Sequence, residues 1–253
     1  MRLILATAAF LLALSPVAMA ETTMTPAPVF TPEQRAEVES IIRQFLVEKE
    51  PETIAKAYEV LQQRQSAQQM EITKEGIKTH AQRIFNDKNT PVLGNPKGDV
   101  TIVEFYDYSC SYCKLAQAEV KKLLEQDKNV RFIAKEYPIL GEPSAIASRA
   151  ALASVKQGKF ETLHNMLFSF SGQMGEAVIM DIAERAGLDT TQLKKDMNSK
   201  DVDNMIAENR KLGAELGVRG TPMFIIGDSV HPGALKLEAM QKAVADARTA
   251  NKK

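Results

Sequence analysis

Cys110-Ser111-Tyr112-Cys113 constrains this chain more than any other feature, because of what surrounds it. Val100-Thr101-Ile102-Val103-Glu104-Phe105-Tyr106 is a largely apolar run that reads as a strand buried on both faces. Asp107-Tyr108-Ser109 ends it, and Cys110 opens a helical pattern that continues through Leu124. Val130 to Tyr137 reads as a second strand, stopped by Pro138. Strand, helix and strand in that order imply a parallel pair with a right-handed crossover. Two cysteines one helical turn apart, the first at the helix start, suit reversible disulfide chemistry. Free N–H groups and the positive end of the helix dipole favour a thiolate there. Cys110 is therefore read as the attacking thiol, and the deeper Cys113 as the thiol that resolves the mixed disulfide.

A purely structural disulfide is the plain alternative. So small a ring stabilises a fold by about 2 kcal/mol in loop-closure bookkeeping, much less than a long loop would. A bond placed where it stabilises least is better explained by reactivity. Structural zinc is the rival function, but it requires four protein ligands. The chain has 2 cysteines, and its 3 histidines, His80, His164 and His231, show no ligand-like spacing. No metal or organic cofactor is expected. Copper(I), which two thiolates can hold, stays open. So does a holdase that keeps the fold without needing its thiols.

Upstream, Met1-Arg2, the apolar run Leu3 to Leu14, Pro16 and Ala18-Met19-Ala20 compose an export signal over residues 1–20. The run is about a dozen residues, whereas a membrane span needs roughly 20. Residues 21–30 are rich in Thr and Pro. Thr31-Pro32-Glu33-Gln34 is a helix start with a capping box, followed by Val38, Ile41, Ile42, Phe45 and Leu46 at helical spacing. After Pro51 a second helix is expected over about 52–85. Its sparse apolar positions suggest a solvated spacer or a stripe that meets another chain. Residues 86–98 form a turn-rich boundary. Lys+Arg 32 balance Asp+Glu 32, so nothing recruits nucleic acid.

Glu104 sits mid-strand, six residues before Cys110, and Lys135 is equally awkward in the next strand. A buried carboxylate is costly unless paired, protonated or functional. The bland expectation is that both side chains reach solvent at strand ends. The functional expectation is a buried acid that relays a proton to or from Cys113, with Lys135 as its partner. From Ser144 to about Leu216 the pattern is helical, and a strand returns at Met223–Ile226, preceded by Gly220-Thr221-Pro222. Proline cannot donate to a sheet ladder, so Pro222 marks an edge or a strand start. Gly227-Asp228 suits a hairpin turn before a short strand near Val230, and Leu237 to Ala247 a closing helix.

Phe105 to Cys113, the late Thr221-Pro222 and the helices between them resemble the DsbA-type periplasmic disulfide oxidoreductases. The resemblance covers about 90–253. It implies an α/β thioredoxin fold with a helical insertion over about 143–216, and a cis Thr221–Pro222 bond facing the disulfide and lining the substrate groove. Glu104 matches the family's buried acid. Ser111-Tyr112 replaces the oxidase's Pro-His, and Thr221 its Val. Cys-x-Tyr-Cys with Thr-Pro is more similar to DsbC-type isomerases and ScsC-type copper-tolerance proteins, which implies isomerisation beside oxidation, with Ser111, Tyr112, Thr221 and Pro222 meeting the substrate. Residues 31–85 resemble helices through which related proteins form dimers or trimers, so 21–85 reads as an oligomerisation region and linker. The implied partners are exported cysteine-containing clients and an inner-membrane redox protein, with periplasmic localisation.

Overall fold

The computed structural model describes residues 30–250; the export-signal reading of residues 1–20 lies outside them. The chain divides after Val60 into two compact units. In the first, α1 (Pro32–Arg43) starts as the sequence dictates. Thr31 Oγ1 accepts from Gln34 N at 3.3 Å, and Gln34 Oε1 accepts from Thr31 N at 3.0 Å. A π-helical stretch, Gln44–Lys49, follows. No residue of α1 is buried, and Val38, Ile41, Ile42 and Phe45 all stand exposed.

Helix α2 (Glu52–Thr79) crosses the division, and its part from Leu61 onward belongs to the second unit. Its last turns are not a solvated spacer. Thr73 and Ile77 are buried, and Thr73 Oγ1 donates to the carbonyl of Leu216 at 2.8 Å. A short α3 (Ala81–Phe85) buries Ile84. The continuous helix expected to residue 85 thus breaks at His80, between the two.

The second unit is built on one five-stranded sheet. Its strands are β1 (Val92–Gly94), β2 (Val100–Tyr106), β3 (Val130–Glu136), β4 (Met223–Ile226) and β5 (Ser229–Pro232). The spatial order is β1-β3-β2-β4-β5. β2 and β3 are parallel, joined by α4 (Ser111–Gln126); the other pairs are antiparallel. Between β3 and β4 run α5 (Glu142–Ser154), α6 (Phe160–Ser169), α7 (Glu176–Arg185), α8 (Thr190–Met197) and α9 (Lys200–Glu215). The closing helix is α10 (Leu237–Ala250).

Side-chain alternation sends the strands' apolar residues to two cores. Ile102, Tyr106, Phe132, Ala134 and Phe224 join the core formed with α4 to α8 and α10. Val103, Phe105, Ile133 and Ile225 face the other way, against Ile77, Ile84, Leu212 and Leu216. The sheet therefore has helices on both faces, which explains why β2 and β3 read as continuous apolar runs.

Candidate active site at the Cys110–Cys113 dithiol

The turn Asp107-Tyr108-Ser109 carries the chain from β2 into α4. Asp107 is wholly buried and fixes this turn. Its Oδ1 accepts from Ser109 N at 2.8 Å, and its Oδ2 accepts from Ile139 N and Leu140 N at 2.8 and 3.0 Å. One carboxylate thus ties the loop before the cysteines to the loop after β3. Cys110 takes the N-cap position of α4, with its backbone N–H donated to the Asp107 carbonyl at 3.1 Å.

Both cysteines are free thiols. Cys110 Sγ donates to the carbonyl oxygen of Thr221 at 3.3 Å, and the Thr221–Pro222 peptide bond is cis. Gly233 N in turn donates to the Pro222 carbonyl at 2.8 Å. Cys113 is fully buried. Burial, reinforced by the charge of Glu104, pushes its thiol well above the ordinary range. Ser111 and Tyr112 stand exposed between the two cysteines. Tyr112 and Leu115 border a groove of about 650 Å³ whose far side includes Thr221, Gly233 and Leu235.

Glu104 is completely buried, opposite Ala134 in β3 and Phe224 in β4. Neither carboxylate oxygen has a hydrogen-bond partner. Desolvation raises its pKa well above the usual carboxylate value, and the charges of Cys110 and Glu136 add to the effect. An uncharged, proton-carrying side chain therefore sits within electrostatic reach of both cysteines.

The expected Glu104–Lys135 pair does not form. Lys135 stands opposite Phe105 in the β2–β3 register, whereas Glu104 stands opposite Ala134. Paired residues share a face, so the two charged side chains point to opposite sides of the sheet. Lys135 Nζ donates to Asp87 Oδ2 at 3.1 Å, Thr90 Oγ1 at 2.7 Å and the Arg83 carbonyl at 3.0 Å. It fastens the segment after α3 to the sheet. Burial lowers its pKa, partly offset by Asp87. The expectation that both side chains reach solvent also fails, since Lys135 is 1 % exposed and Glu104 0 %.

The structure adds a buried polar cluster that the sequence reading did not single out. Glu136 accepts from the hydroxyls of Tyr106, of Tyr108 at 3.0 Å and of Ser148 at 2.7 Å. Tyr108 also bonds His164 Nδ1 at 2.9 Å. Desolvation pushes Glu136 up to about 8, against the three hydroxyl donors, and pushes His164 down to about 3. A charged residue ending an apolar strand, beside tyrosines at alternate positions of its neighbour, was the available signal. No group of acidic, histidine or cysteine side chains suited to a metal ion occurs among the described residues.

This dithiol, N-cap and cis-proline arrangement lies in a stretch, residues 101–245, that matches the profile of the DSBA-like thioredoxin domain. The chain belongs to that family. Among solved structures, it is 48 % identical to a thioredoxin-like oxidoreductase from Silicibacter pomeroyi DSS-3, with a TM-score of 0.65 over 66 % of this chain and 97 % of that one. A linker-deletion mutant of Proteus mirabilis ScsC is 28 % identical, with a TM-score of 0.67 over 89 % and 100 %. The thiol-disulfide exchange protein alpha-DsbA2 of Wolbachia pipientis is 33 % identical, with a TM-score of 0.66 over 70 % and 96 %. A stretch covering 62 % of the chain is also 33 % identical to the Na(+)/H(+) antiporter NhaA 1 of Salinispora arenicola, and it spans about a quarter, 24 %, of that protein. Among the described residues, no helix of this DSBA-like chain is long and apolar enough to cross a membrane.

Proposed function

We propose that this protein is a thiol–disulfide oxidoreductase that forms and isomerises disulfides in exported proteins. The 3.3 Å approach of Cys110 Sγ to the Thr221 carbonyl, at the N-terminus of α4, carries the reading. It puts a reactive sulfur beside backbone that a client chain can pair with.

In the oxidising direction, a client thiolate attacks Cys110 Sγ of the Cys110–Cys113 disulfide. The S–S bond breaks, Cys113 leaves as a thiolate, and the neutral Glu104 carboxyl supplies the proton that this buried sulfur needs. A second client thiolate then attacks the client sulfur of the mixed disulfide and displaces Cys110. Two electrons have passed from the client dithiol to the cysteine pair. The departing Cys110 thiolate meets the positive end of α4.

In the isomerising direction, the Cys110 thiolate attacks a wrong client disulfide and releases a client thiolate. That thiolate attacks elsewhere in the client, and Cys110 is finally displaced with no net electron transfer. Tyr112 between the cysteines and Thr221 before Pro222 support this second direction by their resemblance to isomerase and copper-tolerance relatives. A membrane redox partner would set which form of the pair persists.

The leader over residues 1–20, a periplasmic location and self-association through the exposed stripe Val38, Ile41, Ile42 and Phe45 belong to the same proposal. So large a run of exposed apolar side chains along α1 and the π-helical turn after it suits a second copy of the chain.

Trapping tests the assignment of roles. Cys113→Ser should accumulate a mixed disulfide with an oxidised client, because the resolving thiol is gone. An adduct that forms equally well in Cys110→Ser, where only Cys113 remains, would contradict it.

A further inference from the structure

The groove beside Tyr112 has a neighbour. A second groove, of about 390 Å³, runs between α2 and the segment from Gly217 to Gly233. The two share Thr221 and Gly233, the residues around the cis-proline. Cys110 Sγ bonds the Thr221 carbonyl, so the reactive sulfur lies against a residue that both grooves share.

The α2 wall of the second groove is Gln62, Gln65, Ser66, Gln69, Met70 and Thr73. These positions recur at three and four residues, so they form one face of the helix. The face carries amides and hydroxyls beside the apolar Met70, and among the described residues Arg219 is the one charged residue along the groove. Its position is fixed from below. Thr73 Oγ1 bonds the Leu216 carbonyl at 2.8 Å, and the Gln69 amide packs against Gly217, where a Cβ would lie 1.9 Å from Gln69 Nε2. Gly217 has φ +69°, a conformation that glycine adopts without strain.

We propose that this face of α2 is a client-binding wall, holding the extended backbone of a client chain on one side of its cysteine. The inference rests on the thiol-exchange reading and names where that substrate lies. Neutral amides both donate and accept, so they match peptide groups whatever the client's side chains. A small anion would need more cations than Arg219. From Gln62 to Gln69 the helix rises about 10 Å, the length of roughly three residues of extended chain. The client cysteine then sits at the junction on Cys110, with chain running into the α2 groove on one side and along Tyr112 and Leu115 on the other.

Ser66→Trp in the full mature chain tests this, because Ser66 is exposed and the new ring would fill the groove. Arg64→Trp, which lies roughly opposite on the same helix, is the control. Two rates are compared for each protein: oxidation of an unfolded multi-cysteine polypeptide, and oxidation of dithiothreitol, which is too small to reach α2. Ser66→Trp should lower the ratio of polypeptide rate to dithiothreitol rate roughly tenfold. Arg64→Trp should leave that ratio as in the unsubstituted protein. An unchanged ratio in Ser66→Trp, or an equal loss in both variants, would overturn the wall. If the unsubstituted protein fails to oxidise dithiothreitol at all, the thiol-exchange reading itself fails, and the wall with it.

Discussion

Glu104 and Cys113 are both sealed from solvent, and charge on Glu104 pushes the Cys113 thiol toward its protonated form. Burial first, and then the charges of Cys110 and Glu136, hold the Glu104 carboxyl protonated in turn.

Glu104→Gln keeps the shape and removes the proton. It should slow the steps in which Cys113 gains or loses a proton by on the order of 10²-fold near neutral pH. The variant should also be more stable than the native chain near neutral pH, since unfolding no longer releases a proton from a carboxyl that burial holds protonated. Rapid-mixing kinetics and urea unfolding read the two effects separately. A stabilised variant with undiminished rates would reduce Glu104 to a structural cost.

Glu136→Gln should act on stability in a pH-dependent way. The unfolded chain releases this proton near the ordinary value of 4.5, while the folded chain holds it to about 8. Between those values the unfolded state binds fewer protons, so native stability falls as pH rises. The variant lacks that slope. Its gain over the native chain should grow from pH 4.5 to about 8 and then level off. Unfolding measured across that range checks it, and a gain independent of pH would refute the buried, proton-holding Glu136.

Lys135→Met should leave the pH profile of thiol exchange where it is, because Lys135 and Glu104 lie on opposite faces of the sheet. It should cost about 1–3 kcal/mol by removing the three bonds from Nζ to Asp87, Thr90 and the Arg83 carbonyl, the last of which loses its side-chain donor. A displaced profile would contradict that placement.

What the sequence conceals here is register. The apolar runs of β2, β3 and β4 are visible along the chain, and so is the dithiol between a strand and a helix. The face that Lys135 takes depends on which residue of β2 stands opposite it, and no local pattern states that. β1 escapes notice for a different reason: Val92-Leu93-Gly94 is three residues long, inside a turn-rich stretch, and owes its existence to antiparallel pairing with β3. The buried end of α2 depends on Leu216, far along the chain. Asp107 looked like one more turn residue. Its role becomes visible once β3 brings Ile139 and Leu140 alongside.

Asp107→Ala should therefore be felt at the dithiol without touching it. Three backbone N–H groups lose their acceptor, at a cost of about 1–3 kcal/mol, and the turn holding Cys110 loosens. Thermal unfolding and exchange rates should fall together. A variant destabilised to that degree yet fully active would show that the turn needs no such tie.

Removal of residues 21–60 leaves the unit that begins at Leu61. The shortened chain should sediment as a monomer and keep its oxidation of dithiothreitol, while its isomerisation of clients falls. If the chain from residue 21 onward already sediments as a monomer, the exposed stripe from Val38 to Phe45 has another purpose.

Catalysed refolding of a reduced multi-disulfide protein by the oxidised chain from residue 21 onward tests the central claim most directly. Native disulfides should form at least tenfold faster with the native chain than with Cys110→Ser, whose rate should match the uncatalysed reaction. Equal rates for the two proteins would contradict the account.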